Sequence, residues 1–165
     1  MQIVFPDCDL DAAVAGLVRS SFLNQGEICL CTSRIFVHSD ILEPFLHRFV
    51  PAVAALKVGD PEEEETFCGA VNSKQHYEKV RFTKNIKKIF LSMLYYLTVL
   101  QIMSYIKLGR EGGAVVHCGQ GVTPTPSLPT HCRAGWFVQP TVLSGLPDSH
   151  PCLQVLRRYN LLLFL

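Results

Sequence analysis

Apolar and polar residues alternate along this chain with two clear periods. Gln2 to Phe5 is a short apolar run closed by Pro6, and the missing proline N–H marks it as a strand end. From Asp9 onward Leu10, Ala13, Val14, Leu17 and Val18 recur at helical spacing, with Asp9 placed as the N-cap and Asp11 in the first turn. Asn24 and Gly26 end that pattern, and Arg34 to His38 then alternates as a β-branched and aromatic strand. A second helix is expected from a Ser39 or Asp40 cap through Ile41, Leu42, Phe45, Leu46, Phe49 and Val50 as far as Gly59-Asp60-Pro61, kinked or broken at Pro51. Ser73 is placed to cap a third helix through Tyr77 and Val80, and Ala114 to Cys118 and Trp136 to Val138 read as later strands. The order of elements predicts an α/β arrangement.

Two stretches depart from this alternation. Glu62 to Glu65 is a run of four acids and reads as a solvated loop. Ile89 to Ile106 is apolar except for Ser92, Thr98, Gln101 and Ser104, and just reaches the length of a membrane span. It admits a membrane helix, a buried or surface-docked helix, or an insert with exposed apolar area; its four polar residues argue against the membrane.

Composition changes the picture in two respects. A net charge of +1 on 165 residues gives no basis for binding nucleic acid or an anionic membrane surface. Seven cysteines, an odd number without a regular spacing, favour a reducing compartment over a disulfide framework. The acidic start, without a basic end or an apolar run long enough for a signal, reads as neither a signal nor a transit peptide, so a cytoplasmic protein is expected. His117-Cys118 and His131-Cys132 match no standard zinc spacing, and no metal site is expected from them.

The candidate chemistry lies in Ser21 to Arg34. There Phe22, Asn24, Gly26, Glu27, Cys29 and Arg34 resemble the active-site signature of aldehyde dehydrogenases. Three flanking segments agree in order: Pro6-Asp7 with Asp9-Leu10-Asp11, then Val58 to Pro61, then Gly135 to Val142. The resemblance implies Cys29 as catalytic nucleophile, part of an open and largely parallel sheet flanked by helices, an aldehyde as substrate and NAD as cofactor. Thiolate attack on the carbonyl carbon would give a thiohemiacetal, hydride transfer to the nicotinamide a thioester, and water the carboxylic acid. Cys31, two residues on, is either a resolving thiol in redox protection or a packing residue, and packing is the favoured reading. Glu27 occupies a position in the loop and not that of the family's general base.

The likeness covers roughly residues 2–80 and 104–143. It implies a partial catalytic domain over residues 1–143, interrupted by an apolar insert at about 82–103, and a divergent tail over 144–165. No residue matches the family's glycine turn, oxyanion asparagine or general-base glutamate, so no cofactor-binding residue is assigned. After Leu143 the chain does not continue into the family's Glu-Ile-Phe-Gly-Pro motif, which suggests a truncated form or an imperfect gene model. An incomplete sheet would leave open edges and apolar faces, with low solubility or dependence on a partner. The chain is therefore expected to be an aldehyde-oxidising enzyme by ancestry, or else a catalytically inactive truncated isoform that at most associates with related subunits.

Overall fold

The computed structural model describes residues 1–71, 98–119, 121, 127–154 and 162–164. Strand β1 (Gln2–Val4), helix α1 (Leu10–Phe22) and strand β2 (Ile35–Val37) form a parallel crossover unit with Gln2 opposite Ile35 and Val4 opposite Val37. α1 starts where its sequence says it should. Asp9 Oδ1 accepts the N–H groups of Asp11 and Ala12, both at 3.1 Å, which satisfies two donors that a helix leaves open. Val14, Leu17, Val18, Ser21 and Phe22 form its buried side.

Helix α2 (Leu42–Ala54) packs alongside α1, and Arg48 Nε reaches Asp11 Oδ1 at 2.9 Å on the solvent side. Its buried residues are Phe45, Phe49 and Val53, and the rings of Phe45 and Phe49 stack with centroids 4.9 Å apart. Two expectations are corrected here. Neither Ser39 nor Asp40 caps the helix; a single 3₁₀ turn, Ser39–Ile41, precedes it, and His38 Nδ1 accepts the Asp40 N–H at 3.3 Å. Pro51 does not break the helix, because it sits in the last turn. Only the carbonyl of exposed His47 loses a helical partner, and Ala55 N–H still reaches Pro51 O at 3.0 Å.

The third helix expected around Ser73 to Val80 lies outside the described residues. Helix α3 (Thr98–Glu111) begins within the long apolar stretch and continues past it. Ile106 is 2% exposed, and Met103, Tyr105 and Leu108 pack on the same core, so this part of the stretch is a docked helix. No helix among the described residues is long and apolar enough to cross a membrane.

A second sheet contains β3 (Val115–Cys118), β4 (Thr141–Ser144) and β5 (Leu162–Phe164), with β3 antiparallel and β5 parallel to β4. Of the strand expected over Trp136 to Val138 only a bridge at Val138 forms, and the named strand begins after Pro140. The proline cannot donate to a ladder, whereas Thr141-Val142-Leu143-Ser144 pairs on both sides. The short helix α4 (Pro151–Gln154) and β5 belong to the expected tail, yet Cys152 is buried in the common core and β5 extends the sheet. One apolar cluster runs from Val4 and Phe22 through Phe45 and Phe49 to Ile106, Val142 and Leu143, joining both sheets. Ile3, Phe5, Leu30 and Phe36 remain exposed around the β1–β2 unit.

Candidate active site

The thiol loop connects the end of α1 to the amino-terminal end of β2. Its conformation is set by three successive residues in the left-handed region: Asn24 (φ 49°, ψ 50°), Gln25 (φ 56°, ψ 21°) and Gly26 (φ 71°). Glycine takes this region freely and asparagine tolerates it, while glutamine at such a position costs about 1–2 kcal/mol. Surrounding contacts hold that backbone in place. Gln25 Nε2 lies 3.5 Å from Ala70 O; turned the other way, the same amide accepts the Gly69 N–H at 3.1 Å and donates to Asn24 Oδ1 at 3.0 Å. Either orientation ties the loop to the segment after Cys68.

The walls of the loop are also fastened. Thr32 N–H donates to Ser20 O at 3.0 Å, Glu27 N–H to Asn24 O at 2.9 Å and Cys31 N–H to Ile28 O at 2.9 Å. Phe22 is fully buried beneath it, and buried Cys68 directs its thiol at Phe22 O across 3.7 Å. Arg34, the last residue of the signature, donates from Nη1 to Leu153 O at 2.9 Å, so α4 braces the start of β2.

Cys29 stands out from this frame with an exposed side chain. Among the described residues, no histidine or carboxylate hydrogen-bonds its thiol. Cys31 differs: it is half-buried, its Sγ contacts Leu23 O at 3.5 Å, and burial raises its pKa, with nearby Cys29 adding to the shift against the opposing Ile28 backbone contact. This geometry favours packing for Cys31. Cys68 is the extreme case, pushed up to about 12 by burial.

Three helices follow strands of parallel pairs, and side chains occupy the amino-terminal ends of two of them, whereas α2 has no side-chain cap. Asp9 carries a negative carboxylate onto the α1 terminus, and His150 Nδ1 accepts the Cys152 N–H of α4 at 3.2 Å. A dinucleotide pyrophosphate needs such N–H groups free, and at α1 and α4 they are taken by these side chains.

The comparisons decide the ancestry. Residues 1–88 match the model of the aldehyde dehydrogenase family. This chain belongs to the aldehyde dehydrogenase family. Human 2-aminomuconic semialdehyde dehydrogenase is 42% identical over 151 residues, covering 92% of this chain and 26% of the relative. The 2-hydroxymuconic semialdehyde dehydrogenase of Pseudomonas putida is 36% identical over 146 residues, covering 88% of this chain and 25% of the relative. Betaine aldehyde dehydrogenase from Staphylococcus aureus, solved in complex with NAD+, superimposes with a TM-score of 0.76 at 23% identity, covering 99% of this chain and 27% of that one. The chain thus spans about a quarter of the length of the relatives it matches, and its α/β fold is that of a portion of an aldehyde dehydrogenase.

Sequence reasoning did not reach the long-range contacts. The glutamate run is exposed as expected, but Lys57 Nζ pairs with Glu63 at 2.6 Å and Glu65 at 3.4 Å. Asp60 is buried, and its Oδ2 hydrogen-bonds His131 Nε2, 71 residues away. The pKa of Asp60 is lowered by the Glu62 backbone N–H first and by His131 second. Cys132 joins this pair, although the spacing of His131 and Cys132 matches no standard set of ligands. Only the Gly59-Asp60-Pro61 turn, which folds the Asp60 carboxylate back on the chain, gave any local sign of it.

Proposed function

We propose that this chain carries the nucleophilic part of an aldehyde-oxidising enzyme and that Cys29 is the thiol that adds to the aldehyde carbon. The exposure of Cys29 on a loop fixed by three left-handed residues carries this reading. In the addition step the S–C bond forms from the thiolate, the carbonyl π pair moves to oxygen, and the backbone N–H of Cys29 is suited to receive the oxyanion. A bound nicotinamide would supply the hydride acceptor for oxidation of that adduct. The semialdehyde names of the relatives point to a muconic-type semialdehyde as the substrate class.

The 165-residue polypeptide alone stops at addition. Supporting this are the absence, among the described residues, of a base hydrogen-bonded to Cys29 and the side chains that fill the amino-terminal ends of α1 and α4. Residues 1–143 form the piece of catalytic domain, interrupted at about 82–103 and followed by the tail at 144–165. The exposed Ile3, Phe5 and Phe36 suit association with further aldehyde dehydrogenase segments or subunits, the role left to a catalytically silent isoform. Seven free cysteines suit a reducing, cytoplasmic setting.

The purified chain, given a muconic-type semialdehyde and NAD, should produce no NADH, while the aldehyde slows alkylation of Cys29. Aldehyde-dependent NADH formation lost in Cys29→Ser would overturn the arrest at addition. Alkylation of Cys29 unaffected by saturating aldehyde would overturn its role as nucleophile.

A further inference from the structure

We propose that Asp60, His131 and Cys132 form a binding site for a divalent transition-metal ion of borderline softness, zinc above all. The Asp60 carboxylate oxygen, the His131 imidazole nitrogen and the Cys132 sulfur all lie within 4.8 Å of one another. Two segments far apart in sequence build the cluster. Asp60 follows the bridge between Val58 and Cys68, and its Oδ1 is held by the Glu62 N–H at 3.0 Å, which leaves Oδ2 facing His131. His131 and Cys132 lie on the 3₁₀ turn Thr130–Cys132. That turn is fixed by Cys132 N–H to Pro129 O at 3.0 Å, Gly135 N–H to Cys132 O at 2.8 Å and Arg133 Nε to Leu128 O at 3.2 Å.

The donor set selects the ion. Calcium and magnesium take oxygen ligands, whereas a carboxylate, an imidazole and a thiolate together suit zinc or cobalt. Tetrahedral zinc, with bonds of about 2.0–2.3 Å, brings its ligand atoms to roughly 3.3–3.8 Å from one another. To admit the ion the Asp60–His131 hydrogen bond must open by about an ångström, and that movement falls on His131, whose side chain is 67% exposed, while the Asp60 side chain, at 10%, and buried Cys132 stay in place. Glu62 adds negative charge near the sulfur, and Glu63 does so in part, its carboxylate being shared with Lys57.

Binding releases the Cys132 thiol proton to solvent, and the ion takes the Nε2 lone pair of a neutral His131 imidazole that carries its proton on Nδ1. Zn²⁺ with one carboxylate and one thiolate is neutral, and water completes the fourth position. A plain aspartate–histidine hydrogen bond beside a packed cysteine is the competing account, and metal titration separates the two.

The full chain should bind one Co²⁺ with a thiolate-to-cobalt charge-transfer band, which zinc displaces. Cys132→Ser should abolish the band and His131→Ala should weaken binding roughly tenfold or more, as even outer-shell losses cost that much at metal sites. Cys29→Ser, which removes the exposed thiol most open to adventitious binding, should leave the band intact. Because His131 is exposed, its replacement keeps the fold, which circular dichroism verifies. A band that survives Cys132→Ser, an affinity unchanged by His131→Ala, or no band and no retained zinc at micromolar free metal each overturns the site.

Discussion

The cysteines near the thiol loop should differ in reactivity by orders of magnitude, and the structure sets the order. Cys29 is exposed, Cys31 is half-buried against Leu23 O, and Cys68 is sealed beneath Phe22. Burial moves the Cys68 thiol from 9.0 to about 12, so at pH 8 its thiolate fraction is about a thousandfold below that of an ordinary cysteine. The thiolate is the reacting species, so iodoacetamide should modify Cys29 at least a thousand times faster than Cys68, with Cys31 between them. Cys68 must also be uncovered by local or global opening before any reagent meets it, which widens the gap. Timed alkylation followed by peptide mass spectrometry measures the order. Trypsin places Cys29 and Cys31 together on residues 20–34 and Cys68 on residues 58–74, so fragment ions are needed to separate the first two. In strong denaturant the three rates should converge. Equal rates for Cys29 and Cys68 in the native chain, or Cys31 reacting first, would refute both the packing of the loop and the assignment of Cys29 as its accessible thiol.

Two further outcomes follow from the same region. The folded-state pKa of Cys68 lies above its unfolded value, so its contribution to stability is fully present below about pH 9 and is lost as pH rises toward 12, on the order of 4 kcal/mol at the limit. Cys68→Ala should therefore flatten the alkaline fall in urea midpoint; parallel curves for the two proteins would contradict this. Gly26→Ala forces a side chain onto φ 71° and should destabilise the fold by about 1–2 kcal/mol, read from chemical denaturation, with an unchanged midpoint as the contrary result.

Local signals were legible where local physics decides the structure. The Asp9 cap, the buried side of α1 and the break at Asn24 and Gly26 all depend on neighbours within a few residues, and each appears in the structure as its spacing predicts. The α2 cap was misjudged because a 3₁₀ turn, capped by His38 Nδ1, takes up Ser39 and Asp40, and α2 itself starts without a side-chain cap. Trp136 to Val138 has strand-forming residues, but strand identity is set by pairing partners, and β3 and β5 pair beyond Pro140. The clamp from Arg34 to Leu153 and the approach of His131 to Asp60 span 119 and 71 positions, and no periodicity encodes such distances. The turn of the thiol loop was legible through Asn24 and Gly26, while the depth of Cys68 beneath the same loop was not.

The pairing of β1 with β2 joins Gln2 to Ile35 across 33 positions. That parallel pair closes the whole segment between them, α1 and the thiol loop included, around the smaller closure from Thr32 to Ser20. Closing such a segment costs chain entropy before any ladder contact repays it, so the order of events in folding places the helix early and the loop late. The orientation of Cys29 is thereby tied to three residues at the chain's first turn of sequence, and a change at Gln2, Ile3 or Val4 reaches the thiol without touching it.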